Sequence, residues 1–215
     1  MTTLTTFEIY DLINRPRPLW LVRIDLSGAA LYWVDLSDCN LSMANLEKAD
    51  LNWANLIGTD LRRANLNMAN LFEAHLHHAN LNEANLSRSN LTRADLGKAD
   101  MIEARVVDAN LSRASLSKAV LIKANLNSSI LARADLSKAN LSGANLSGVD
   151  LTRANLFDAN LTGANLRHAD LSGADLTAAN LFNADLSEAV LDGATLTDTI
   201  MPDGADQENS ETIKA

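Results

Sequence analysis

The chain has 215 residues, of which 47% are hydrophobic but only 4% aromatic, so a buried core has to be built mainly from Leu and Ala. The formal net charge of −9 disfavours general affinity for nucleic acids, because their phosphates repel an acidic protein. The single cysteine, Cys39, excludes an intrachain disulfide and disfavours a cysteine-based zinc site.

The N-terminal residues carry no sign of export. Residues 1–17 lack a basic segment followed by an apolar run, which is the pattern of a signal peptide. No stretch of the chain approaches the ~18 uninterrupted apolar residues that cross a membrane. We therefore expect a soluble, cytoplasmic protein without a membrane partner.

The first element predicted along the chain is a short capping helix within residues 1–23. Thr5 and Glu8 fit a capping box, Leu4 and Ile9 are placed as a hydrophobic staple, and Pro16 ends the helix. We expect an apolar stripe of this segment to close the first coil of the next element; its members are Ile9, Leu12, Ile13, Leu19, Trp20 and Leu21. A helix that binds a partner is the alternative interpretation.

A five-residue repeat occupies residues 24–201. At every fifth residue from Leu26, which we call the central position, Leu occurs in 33 of 36 cases, and Met101, Val106 and Met201 are the exceptions. Two residues earlier lies the small position, which is Ala in 28 of 36 cases; the residue between the two is Asp or Asn in 27 of 36. Because side chains two apart on an extended chain share a face, the small and central positions are predicted to point into one core.

A turn is predicted two residues after each central position, which we call the corner position. Turn-forming glycines fall there seven times, at Gly28, Gly58, Gly143, Gly148, Gly163, Gly173 and Gly193. The Asp and Asn side chains before the central position are predicted to bond to the backbone at these turns and to stack in ladders.

The run Ala-(Asp/Asn)-Leu-x-x, as at 44–46, 94–96 and 164–166, resembles the pentapeptide-repeat family. That resemblance implies an all-β fold, a right-handed quadrilateral β-helix with four repeats per coil, so that 36 repeats make about nine coils. The Met-Pro-Asp-Gly sequence at 201–204 resembles the endings of cyanobacterial members. Residues 202–215 are predicted to form a turn that leaves the β-helix and then a disordered tail. The resemblance also leaves open a homodimer formed through the C-terminal coil.

Residues 20 apart should stack in columns on the surface of such a coil. Two neighbouring corner columns carry seven cations, which we call the basic stripe: Arg93, Arg113, Arg133, Arg153, Lys98, Lys118 and Lys138. The stripe is interpreted either as a solvated face with nearby Asp and Glu as counter-charges or as a docking strip for an acidic protein partner. Direct binding of nucleic acid is not expected.

Aromatic residues gather beyond one end of the stripe. Tyr32, Trp33, Trp53 and Phe72, which we call the aromatic patch, project from the arginine-bearing face, with Ile57 near the corner. In a chain so poor in aromatic residues they indicate either a shelf for the N-terminal segment or a binding patch.

No catalytic, cofactor or metal site is expected. His75, His77 and His78 are close in sequence but are predicted to spread over a face and a corner, with Asp95 one coil on from His75. Cys39 falls in a small position and is predicted to be an inert core thiol. The Asp side chains form uniform rows without a pocket, which is unlike paired catalytic carboxylates.

The leading functional hypothesis is a non-catalytic, rigid scaffold that binds a protein partner through the basic stripe and through Trp33, Trp53 and Phe72. The family resemblance offers an alternative, a DNA-mimicking modulator of DNA gyrase or another topoisomerase. The basic stripe interrupts such mimicry on one face. A structural protein without a specific partner is the third hypothesis.

Overall fold

A computed structural model describes residues 5–204, which form a β-helix preceded by one helix. Helix α1 spans Thr6–Ile13, and the rest of this range contains isolated parallel bridges in place of continuous strands. The bridges join residues 20 apart, from Trp20–Asn40 to Asn180–Ile200, and recur every five residues. Each coil therefore contains four five-residue repeats, as predicted, whereas the number of coils stays an expectation from the repeat count. Within the described part, no helix has the length and apolar character needed to cross a membrane.

The core is a stack of central and small side chains. Leu116 and Ala114 in the middle of the chain are 0% and 1% exposed, and the same holds along most of the repeat. Full burial of each Leu contributes about 1.5–3 kcal/mol before the entropy of ordering the chain is subtracted. Cys39 lies in this core, 1% exposed, as predicted.

Four small positions hold hydroxyl residues, and each hydroxyl is paired inside the core. Thr59 donates to the carbonyl of Leu36 at 2.8 Å, and Thr199 donates to that of Leu176 at 2.7 Å. Ser89 and Ser129 also bond to backbone carbonyls. A buried hydroxyl without a partner would cost on the order of 1–3 kcal/mol, so these bonds explain why the substitutions are tolerated.

Every corner position from residue 23 to residue 198 has a positive φ. The N–H of the next small position closes nearly every turn onto the carbonyl of the preceding central residue, as Ala44 does onto Leu41 at 3.0 Å; Ala109 instead donates to the hydroxyl of Ser129. The glycines at corners have φ near 65°, but 29 other residues adopt φ between 53° and 60° there. Because the left-handed region is especially unfavourable for β-branched side chains, no Val, Ile or Thr occupies any of these corners. The corner glycines were recognisable from the sequence, but this wider rule for the other corner residues was not.

The predicted amide ladders are present. Asn45 donates to Asp25 at 2.9 Å, and Asn65 in turn donates to Asn45 at 3.1 Å. The same Asn45 side chain also accepts the backbone N–H of Glu47. These side chains therefore tie each coil to the next and satisfy backbone groups at the turns.

The N-terminal cap largely follows the sequence. Thr5 caps helix α1 and forms the predicted capping box with Glu8, while Leu4 lies outside the described residues. Ile9, Leu12 and Ile13 pack against the core, and Leu19 and Leu21 are buried. The expectation that Trp20 helps to close the first coil is wrong: it bridges Asn40 with its side chain 78% exposed, because residues alternate between inside and outside here.

Candidate partner-binding surface

The basic stripe lies on two adjacent corners of the coil. Its arginines occupy the corner of one repeat and its lysines that of the next, so Arg113 and Lys118 are separated by a single face. All seven side chains are exposed, and all seven residues have φ between 55° and 60°. Since the coils stack with a period of 20 residues, like charges repeat along each corner at about 4.8 Å.

Most of the stripe lacks counter-ions. Arg93 pairs with Glu73 at 2.9 Å, at the end of its column. Within residues 5–204 no carboxylate pairs with any of the remaining six, which are Arg113, Arg133, Arg153, Lys98, Lys118 and Lys138. Neighbouring charges of like sign repel by about 1 kcal/mol or less in water, so the stripe does not stabilise the fold.

Other corners demonstrate that pairing along a column is available in this fold. Arg63 reaches Glu83 one coil on, with Nε and Oε2 2.8 Å apart, and Arg88 lies 3.9 Å from Asp108 in the same relation. The contact with Arg63 lowers the pKa of Glu83 below its usual range. The basic stripe has the same backbone and the same spacing, but it repeats cations where these columns place an acidic residue next to the arginine.

The carboxylates on the face between the two corners are engaged in structural hydrogen bonds. Asp135 lies between the two corners, where it accepts the N–H of Ser137 at 3.0 Å and the amide of Asn155 at 3.1 Å. Asp95 lies two coils earlier in the same column, between Arg93 and Lys98, and accepts the N–H of Gly97 at 3.0 Å. These bonds give the aspartates the structural role predicted for them, and they leave the surface between the corners with an excess of positive charge.

The aromatic patch is a stack of rings. The rings of Trp33 and Trp53 are parallel within 11°, with centroids 5.0 Å apart, and Phe72 meets Trp53 edge to face at 5.7 Å. Trp33 is 68% exposed and Tyr32 59%, whereas Trp53 and Phe72 are half-buried beneath neighbours. Such pairs contribute about 0.5–1.5 kcal/mol beyond their area, so the patch is ordered before any partner arrives.

Helix α1 lies beside the aromatic patch without covering it. A cleft of about 390 Å³ separates Tyr10 and Ile13 of the helix segment from Tyr32 and Trp33. Because the outer rings stay more than half exposed, the N-terminal segment does not use the patch as a full shelf. The aromatic patch was interpreted either as a shelf for the N-terminal segment or as a binding patch, and the cleft favours the open binding patch.

A single unsatisfied amide lies in the aromatic patch. Asn52 shares an outward column with Tyr32 and Phe72, and its Oδ1 is the one buried side-chain polar atom of residues 5–204 without a hydrogen-bond partner. An orphaned buried acceptor is rare in native proteins. No sequence signal distinguishes this residue, since Asn is common on all four faces.

Glu73 connects the aromatic patch to the basic stripe. It accepts the indole N–H of Trp53 at 3.0 Å and a bond from Arg93 at 2.9 Å. The hydrogen bond from Arg93 contributes most to holding the pKa of Glu73 below its usual range, and the hydrogen bond from Trp53 contributes next. Patch and stripe are therefore one continuous surface along one corner.

The histidine cluster differs in detail from the prediction. The rings of His77 and His78 meet edge to face at 4.6 Å, because both lie in the same corner turn. His77, rather than His75, approaches the Asp95 carboxylate, at 3.5 Å. Within residues 5–204 no group of three or more His, Cys, Asp and Glu side chains is arranged to hold a metal ion.

The surface between the arginine row and the lysine row of the basic stripe was not predicted from the sequence. The chain passes from Arg113 to Lys118 through Ser115 and Ser117, which face outward, and through the same positions one coil on. The outward column through Ser117 reads Ser37, Ile57, His77, Gly97, Ser117, Ser137 and Phe157. Its run of small residues coincides with the unpaired cations, and that coincidence is visible only when the columns are read side by side.

The family model for pentapeptide repeats matches the chain in eight copies, with matched ranges that cover residues 29–67 and 69–198. The chain belongs to the pentapeptide-repeat family. Its fold is accordingly the right-handed quadrilateral β-helix of that family. No curated protein sequence matches it significantly.

Solved pentapeptide-repeat structures include several similar proteins. The chain is similar to HetL, a pentapeptide-repeat protein involved in heterocyst differentiation regulation in the cyanobacterium Nostoc sp. strain PCC 7120, with 33% identity, a TM-score of 0.59 and coverage of 96% of this chain and 100% of HetL. It is also similar to Rfr23 of the cyanobacterium Cyanothece 51142, with 36% identity and a TM-score of 0.21 over 46% of this chain and 59% of Rfr23. The plasmid-mediated fluoroquinolone resistance protein QnrB1 is 17% identical, with a TM-score of 0.48 over 82% of this chain and 87% of QnrB1.

Proposed function

We propose that this pentapeptide-repeat protein is a non-catalytic scaffold that binds an acidic protein partner through the basic stripe, with the aromatic patch as a second contact. The observation that carries the proposal is the set of six exposed cations without carboxylate partners on an otherwise acidic chain. Their mutual repulsion does not favour the fold, and a partner with negative charge removes that repulsion.

The scaffold works without moving parts. The corners that carry the cations are closed by backbone hydrogen bonds, and the stacked rings of Trp33 and Trp53 are already ordered. A preformed surface loses little conformational entropy on binding, so more of the contact energy appears as affinity. Arginine also suits carboxylates, because its planar guanidinium binds them with two parallel hydrogen bonds.

The relationship to HetL is in keeping with a regulatory role for the scaffold. HetL takes part in the regulation of heterocyst differentiation, and it covers almost the whole of this chain. The gyrase-modulator hypothesis has less support, because DNA mimicry requires continuous negative charge and the basic stripe interrupts it. The hypothesis of a structural protein without a specific partner gives no reason for six cations to lack counter-ions.

The test compares partner capture by three forms of the full chain. Arg113→Glu/Arg133→Glu reverses the centre of the stripe, and Lys123→Glu is a matched control at an unpaired, exposed corner of the same coil but on another face. Both changes keep the fold, because Glu already occupies corners with positive φ at Glu73 and Glu83.

We expect a protein from a lysate of the source organism to be retained by the parent and by Lys123→Glu and to be lost by the double variant. The captured protein should be acidic at the contact, and its retention should weaken with salt. Equal retention by all three folded forms contradicts the proposal. Inhibition of gyrase supercoiling by the double variant as well as the parent supports the mimicry hypothesis in its place.

A further inference from the structure

Small side chains occupy the strip between the two rows of long cationic side chains, and we call this strip the trough. Its floor includes Ser117 and Ser137, which are half-buried, and its flanks are the arginine corner and the lysine corner of the basic stripe. At one end the ring of His77 covers Gly97, where an added Cβ would lie 2.6 Å from Nδ1 of His77. At the other end Phe157, 39% exposed, stands in the same column.

The trough offers hydrogen-bond donors as well as charge. Within residues 5–204, the hydroxyls of Ser115, Ser117 and Ser137 make no side-chain hydrogen bond, and the six cations on the flanks have no counter-ion. Two carboxylates lie on the floor: Asp135 is held by Ser137 and Asn155, and Asp95 accepts the N–H of Gly97. A ligand that supplies several carboxylates therefore meets a surface with a net excess of donors and positive charge.

The spacing of the cations selects the conformation of that ligand. Successive cations on one corner lie about 4.8 Å apart along the axis, so three of them stand at roughly 0, 4.8 and 9.6 Å. Carboxylates at i, i+3 and i+7 of an α-helix rise by about 0, 4.5 and 10.5 Å, within about 1 Å of each cation. Alternate side chains of an extended strand stand at about 0, 6.7 and 13.4 Å, which is nearly 4 Å out of step by the third cation.

We propose that the trough binds an acidic amphipathic α-helix of the protein partner, lying parallel to the axis of the β-helix. One row of carboxylates faces Arg113, Arg133 and Arg153, and a second row, about a third of a turn round the helix, faces Lys118 and Lys138. Small side chains between the rows rest on the serines. The distance from Gly97 to Phe157 is about 14 Å, which accommodates about three helical turns. This inference rests on the proposed function and names the element of the partner that occupies the site.

The experiment uses synthetic peptides of about 15 residues as probes, with the full chain as receptor. The helical probe carries Glu at i, i+3 and i+7 and at i+1, i+5 and i+8 in an Ala-rich background. A second peptide has the same composition with Glu spread around the helix, and a third alternates Glu with Thr so that it stays extended. A single-stranded DNA oligomer is the fourth probe, and binding is followed by fluorescence anisotropy at about 50 mM salt.

Two receptor variants distinguish the effect of the space in the trough from the effect of its charge. Ser137→Phe fills the floor without changing any charge, and the backbone there tolerates the ring because Phe157 occupies the next place in the column. Ser142→Phe is the matched control, since it makes the same substitution at the equivalent position of the following repeat, on another face. Thermal denaturation establishes that both variants are folded.

We expect the helical probe to bind at least about tenfold more tightly than the other three probes. Ser137→Phe should weaken the binding of the helical probe by about tenfold or more, whereas Ser142→Phe should leave it unchanged. If the extended peptide or the rearranged peptide binds as tightly as the helical probe or more tightly, the inference of a helical ligand is wrong. Partner capture that depends on Arg113 and Arg133 would still support the proposed function in that case. Tighter binding of the DNA, or unchanged binding by Ser137→Phe, overturns the inference as well. Loss of both peptide binding and stripe-dependent capture overturns both proposals.

Discussion

Leu116 in the middle of the β-helix provides a severe test of the inward direction of the central positions. Its side chain is fully buried, and the coils above and below it are bridged through Ser115 to Asp95 and Asp135. Truncating a buried Leu costs about 2.7–5 kcal/mol, and Leu116→Asp adds several kcal/mol for a carboxyl group without partners in an apolar stack. The total approaches the 5–15 kcal/mol that stabilises a whole domain, so we expect this variant not to complete its middle coils.

The matched control is Lys118→Asp, two residues away in the same coil. Asp38, Asp108 and Asp158 already occupy corners with positive φ, so the control places the same side chain in an accepted, exposed position. Urea denaturation followed by circular dichroism should leave the control within about 0.5 kcal/mol of the parent. Leu116→Asp should lose the main transition or split it, because each coil of a solenoid contacts only its neighbours. A midpoint for Leu116→Asp equal to that of the control refutes the inward assignment.

Three further outcomes follow from the corners, the ladders and the charges. Lys123→Val should lower the free energy of unfolding, measured in urea, by about 1–2 kcal/mol, because a β-branched residue is forced to a positive φ. Ser142→Val, one position before a corner, should leave that free energy almost unchanged. Asn145→Ala should cost about 1–2 kcal/mol by the same assay, since that amide bonds to the coils on both sides; a neutral result contradicts a stabilising ladder. Hydrogen bonding from Arg62 holds the pKa of Asp60 below its usual range, so the stabilising effect of its ionised form is complete above the unfolded-state pKa and is lost as the pH falls through the lower folded-state pKa. The melting temperature of Asp60→Asn should therefore fall less steeply than that of the parent as the pH is lowered. Equal slopes of the two melting temperatures against pH contradict this assignment.

Much of the fold was predictable because one short period dominates the chain. Each repeat presents the same two inward side chains, so Leu116 and Cys39 could be placed in the core without a structure. The capping box of Thr5 and Glu8 was equally local, since it involves residues three apart. Trp20 was misplaced because apolar character was given more weight than its position between the buried Leu19 and Leu21.

The candidate surface was predictable in outline and not in its contacts. Columns follow from the coil length, so Arg113 could be placed beside Arg133 once the family resemblance supplied four repeats per coil. Whether a counter-ion reached them could not be inferred, because acidic residues are abundant on every face. The position of His77 over Gly97, which closes one end of the trough, also depends on a side-chain conformation that the sequence does not encode locally.

The sequence by itself determined which side chains point inward, since alternation along an extended repeat is a local property of the backbone. It also determined which residues form one column, once the coil length was known. Only the tertiary structure decided that Glu73 neutralises Arg93 while Arg113 remains unpaired. It likewise decided that Trp33 stacks on Trp53. These contacts join residues in successive coils, where the bridging backbone fixes the spacing and the side-chain conformations decide which neighbours meet.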